Sequence, residues 1–135
     1  MNRFVHSPFD AACKRALTWI MVGVVGCVTG TASGQCTNAT AFGTAAAPST
    51  TAPVTISTCT FQSEYNTVTG IVAGATYSVT SSCGGYITVR RGTFNGTLVA
   101  NGNTPLSFTA PVAGTYYLHF NTSAACGTAS VCCTT

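Results

Sequence analysis

Six cysteines carry most of the chemistry in this 135-residue chain: Cys36, Cys59, Cys83, Cys126, Cys132 and Cys133. Such residues can hold zinc, cycle between thiol and disulfide, or staple a fold. Zinc sites draw on closely spaced cysteines and histidines. Here no C-x-x-C occurs, and His119 is the only histidine beyond residue 34. A redox thiol needs a cationic neighbourhood that lowers its pKa, and no basic cluster lies near these cysteines in sequence. An even number in a small exported chain points instead to structural disulfides. Neither a metal nor a cofactor is expected.

Other candidate chemistry is sparse. Beyond residue 34 the ionisable side chains expected to matter near neutrality are Glu64, Arg90, Arg91 and His119. Glycoside hydrolysis normally uses two carboxylates, and only one is present. Glu64, His119 and a Ser or Thr could be assembled into a triad, but no G-x-S-x-G frame surrounds them. A secreted hydrolase is therefore the weakest reading, and no catalytic residue is assigned. Calcium favours several oxygen ligands, which one Glu supplies poorly. Two arginines against one glutamate leave a net charge of about +1, too little to bind phosphate backbones by counterion release. Nucleic acid is not an expected partner.

Tyr86, Arg90, Arg91 and Tyr117 form a candidate glycan contact. Arginine forks suit acidic or sulfated sugars, and tyrosines offer an apolar body with a polar tip. Against this, Arg90-Arg91 reads better as charge that protects an edge strand. At least half of the five tyrosines, Tyr65, Tyr77, Tyr86, Tyr116 and Tyr117, belong in a core. His119 alternates with core residues and is expected at the surface or rim. Asn38, Asn95 and Asn121 each begin an N-x-S/T sequon, which matters only in a glycosylating secretory pathway.

Export is read from the N-terminus. Arg3, Lys14 and Arg15 precede the apolar run Ala16–Val28, and a small-residue stretch ends at Ala32-Ser33-Gly34. The run is shorter than the ~20 residues of a bilayer span. Residues 1–34 thus read as a signal peptide, leaving Gln35 first, with no transmembrane span. Val24-Val25-Gly26-Cys27 offers an alternative, a lipoprotein anchored through Cys27.

The elements that position these residues read as strands. Thr, Ser, Gly, Ala and Val dominate, and β-branched residues favour pleated structure. Residues 35–53 read as an extended arm with room for one short edge strand. Residues 54–135 form the domain, with strands expected at Val54–Phe61, Glu64–Val72, Ala75–Cys83, Tyr86–Gly92, Thr97–Gly102, Pro105–Pro111 and Gly114–Asn121. Asn95-Gly96 suits a type I′ hairpin turn, and Asn101-Gly102 marks another. In Gly114–Asn121, Tyr116, Leu118 and Phe120 alternate with Tyr117 and His119. The pattern predicts an all-β, antiparallel, jelly-roll-like β-sandwich of about seven or eight short strands, stapled by disulfides. Six cysteines allow many pairings. The expectation joins Cys126 to Cys132 across a short loop and Cys36 to Cys59, leaving Cys83 for Cys133.

The stretch "YITVRRGTFNGTLVANGNTPLSFTAPVAGTYYLHFNT", with "CTNATAFGTA" before and "CGTASVCCTT" after, resembles a β-sandwich module of secreted Bacteroidota proteins. "PLSFTAPVAGTYYLHF" is similar to the end of bacterial pre-peptidase C-terminal domains, and "YITVRRGTFNGTLVA" is similar to CUB domains. The resemblance implies an extracellular sandwich without catalytic residues. Such modules end on a single cysteine, so Cys83 and one of Cys132-Cys133 look like an added pair, which favours the Cys83–Cys133 bridge. The functional expectation is a secreted structural or adhesive protein that contacts an extracellular surface, a matrix, a glycan or copies of itself.

Overall fold

The structure, a computed structural model, describes residues 35–135. The expected signal peptide and the Cys27 anchor lie outside the described residues. Seven strands follow in order: β1 Thr40–Ala46, β2 Glu64–Ile71, β3 Thr76–Val79, β4 Tyr86–Arg91, β5 Thr97–Asn103, β6 Leu106–Thr109 and β7 Gly114–Asn121. No helix occurs among the described residues. Five strands form one sheet in the order β1-β2-β7-β4-β5, and β3 pairs with β6 in a second. The result is a small, disulfide-stapled β-sandwich.

Period-two alternation explains the core. In β7 the pairings Val68↔Tyr116, Val89↔Leu118 and Ile87↔Phe120 bring three apolar pairs onto one face. That face packs on Val79 and Phe108 of the small sheet. Ile87, Val89 and Tyr116 are fully buried. β7 matches the expected strand at both ends, and β2 falls one residue short of the expected Val72.

Several expectations are corrected. The arm does supply an edge strand, but β1 runs parallel to β2, so the main sheet is not wholly antiparallel. Val54–Phe61 is no strand. It holds only the isolated Thr60↔Cys133 bridge and otherwise bonds irregularly to the C-terminal tail, with Ile56 N–H donating to Thr135 O (2.7 Å) and Thr135 N–H donating to Ser57 O (2.9 Å). Asn101-Gly102 lies inside β5, and the chain turns instead at Thr104-Pro105, joined by a cis peptide. The β4–β5 connection is a hairpin, but not of type I′. Gly96 N–H donates to Thr93 O (2.9 Å), and the positive φ sits at Gly92 rather than at Asn95 or Gly96.

The two sides of the sandwich differ. At β5 and β6 a two-residue turn joins the sheets directly. At the opposite side β1 and β3 each have a strand on one edge only. There the segment between β1 and β2 covers the gap.

Candidate functional site

The other face of the large sheet carries most of the candidate residues. Across β7, His119 is flanked by Tyr65 on β2 and Thr88 on β4, Tyr117 by Thr67 and Arg90, and Asn121 by Tyr86. This face is not open. Residues 35–38 cross it, held by the Cys36–Cys126 bridge. Cys36 N–H donates to Thr88 Oγ1 (3.2 Å), and Asn38 N–H donates to His119 Nδ1 (2.9 Å). The Asn38 amide donates to the carbonyls of Glu64 (2.8 Å) and Phe120 (2.9 Å). Asn121 Nδ2 completes the layer by donating to Asn38 Oδ1 (3.2 Å).

His119 is therefore fully buried, not at the rim as expected. Its Nδ1 accepts from Asn38, so the ring proton sits on Nε2 and is donated to Phe94 O (2.7 Å). Loss of solvation lowers its pKa to about 4; the Phe94 carbonyl opposes this, and the Arg90 charge adds to it. A neutral imidazole with both nitrogens occupied has no free atom for proton transfer. Glu64 shares the Asn66–Val68 side of β2, the face opposite His119, and its Oε2 accepts Phe61 N–H (2.8 Å). The structure does not bring Glu64 and His119 together.

The candidate glycan residues are scattered. Tyr86 is buried, with its hydroxyl on Asn101 Oδ1 (2.7 Å). Arg90 is buried on a central strand rather than an edge. Its guanidinium donates to Gly96 O (2.9 Å) and Gln35 O (3.4 Å), and its Nε has no partner. Arg91 faces the other way, opposite Tyr116. Tyr117 alone stays half-exposed on the outer face, beside Tyr65 (ring centroids 5.8 Å). Tyr65 in turn stacks on Phe94 (5.5 Å, 6° between planes). Phe94 was not singled out from sequence. Its only signal is an aromatic residue beside the hairpin's Asn95-Gly96.

The sequons separate in the same way. Asn38 and Asn121 are buried with their amide nitrogens bonded, although Asn121 Oδ1 has no partner among the described residues, whereas Asn95 is exposed at a loop.

All six cysteines among the described residues are bridged: Cys36–Cys126, Cys59–Cys132 and Cys83–Cys133. The third pairing matches the expectation, and the other two do not. The tail doubles back along residues 56–62, so its cysteines meet partners far away in sequence rather than one another. Among the described residues no cluster of His, Cys, Asp or Glu could hold a metal ion, and no helix is long and apolar enough to cross a membrane. Comparison with family models, curated proteins and solved structures finds no match to this chain.

Proposed function

We propose that the chain is a secreted, non-catalytic structural or adhesive module that works by contact with copies of itself or with an extracellular surface. The observation that carries this reading is the free edge of β1. Among the described residues its outer edge has no strand partner, Phe42 is about half exposed and no side chain of the seven is charged, although the register to β2 shifts between Ala41 and Thr44. Long uncharged edges invite strand addition. Three bridges closing separations of 90, 73 and 50 residues suit a domain that must persist outside the cell. The resemblance to Bacteroidota surface modules supports the same reading.

Light scattering and negative-stain microscopy of the secreted protein test it. Self-association that Phe42→Lys and Thr44→Lys reduce is the expected result. A strict monomer with no affinity for surfaces overturns it.

A glycan-binding reading is favoured by a different observation, the Tyr65–Phe94–Tyr117 cluster. It keeps Tyr117 from the sequence-derived set and replaces buried Tyr86 and Arg90 with Tyr65 and Phe94. Binding on a glycan array that Tyr117→Ala abolishes supports it; an array without hits removes it.

A further inference from the structure

We infer that the gap between the sheets on the β1–β3 side is a binding site for one uncharged, lipophilic small molecule. A cleft of about 890 Å³ opens there. That lies within the range of about 300–1,000 Å³ typical of small-molecule sites. Its floor is the core face of the large sheet, Val68, Ile71 and Leu118. Its far wall is Tyr77, Val79 and Phe108 of the small sheet. The cause is architectural: five strands face two, so the β2 half of the large sheet has no strand opposite it.

The lining selects the ligand class. No charged side chain contributes to it, and its polar atoms are hydroxyls and backbone groups. An anionic ligand would lose its hydration there with no cationic side chain to pair with, at a cost of several kcal/mol. An apolar space of this size is poorly served by water, which needs polar partners. A lipophilic guest makes dispersion contacts with the floor that water cannot replace.

The cover provides a route in. Pro48–Thr55 spans the cleft between two anchors, Ala47 N–H to Thr69 O (2.7 Å) and Ile56 N–H to Thr135 O (2.7 Å). Between those anchors the segment's only hydrogen bond among the described residues is internal, Ala52 N–H to Thr50 Oγ1 (3.3 Å). Val54 on this segment is 45% exposed and also lines the cleft. Lifting the segment breaks no bond to either sheet, so entry does not require opening the sandwich.

The test uses the secreted protein with its bridges intact. Neutral N-phenyl-1-naphthylamine and anionic 1-anilinonaphthalene-8-sulfonate are titrated by fluorescence. Saturable one-to-one binding of the neutral probe, at least about tenfold tighter than the anionic one, is expected. Ala75→Trp, which fills the cleft, and Val54→Asp, which charges its cover, should each weaken the neutral probe about tenfold. Both variants are first checked for an unchanged melting temperature. If Ala75→Trp does not fold, Val54→Asp decides alone, since that side chain is already nearly half exposed. No saturable binding, equal binding of both probes, or binding untouched by the folded variants overturns the inference. The site is independent of the adhesive reading: a strict monomer without surface affinity that still binds the probe sinks that reading and keeps this one.

Discussion

Strand β7 shows two solutions to burial within eight residues. On one face Tyr116, Leu118 and Phe120 are buried against apolar neighbours from both sheets. On the other, His119 and Asn121 are just as buried, but under a four-residue arm and a mesh of hydrogen bonds. The first face is stabilised by removing apolar area from water, a non-directional effect. The second depends on each donor meeting its acceptor, because an unsatisfied buried polar group costs about 1–3 kcal/mol. The apolar face should therefore fail gradually as volume is removed. The polar face should fail when a bond, a proton or the arm is disturbed.

The largest effect is expected on the apolar face. Phe120→Ala should cost about 3–5 kcal/mol by equilibrium denaturation, because it leaves a cavity beside Ile87 in the buried core. Next comes the staple of the polar face. Replacing Cys36 and Cys126 together by Ala should cost about 2–5 kcal/mol. Amides of β7 and β2 should then exchange faster than those of β3 and β6. Uniform loss of protection across both sheets would show that the arm does not act on one face.

Titration separates the faces further. The folded pKa of His119, about 4, lies below its ordinary value of 6.5. Above 6.5 the ring is neutral in both states and contributes no slope. As pH falls from 6.5 toward 4 the unfolded chain takes up a proton that the folded one refuses, so stability declines by about 3 kcal/mol and then levels off. Denaturation midpoints across this window should show the slope, and His119→Gln should flatten it. The smallest effect is expected at the fringe of the polar face. Phe94→Ala removes the stacking on Tyr65 and should cost about 1 kcal/mol, while leaving the pH slope in place because the Phe94 carbonyl remains.

The two faces also differ in how readable they are. The alternation at Gly114–Asn121 placed Tyr116, Leu118 and Phe120 correctly, because side-chain direction along a strand has a fixed period of two. The same alternation sent His119 to the rim, since alternation says which face a residue takes but not what covers that face. Its cover comes from Gln35–Asn38, roughly eighty residues earlier in the chain. Arg90 was misread for a related reason. A strand's place in its sheet depends on pairing order, and β4 lies between β7 and β5. The cleft had no sequence signal at all, because its floor is made of ordinary core residues.

The sequence by itself determined the strand-rich class, the apolar side of the best strands and the use of cysteines as staples. These follow from local propensity, side-chain period and residue count. Only the tertiary structure decided which cysteines meet, which face the arm seals and where the two sheets part. Those outcomes depend on contacts between segments distant in the chain, and such contacts are set by the packing of the whole rather than by any one stretch of residues.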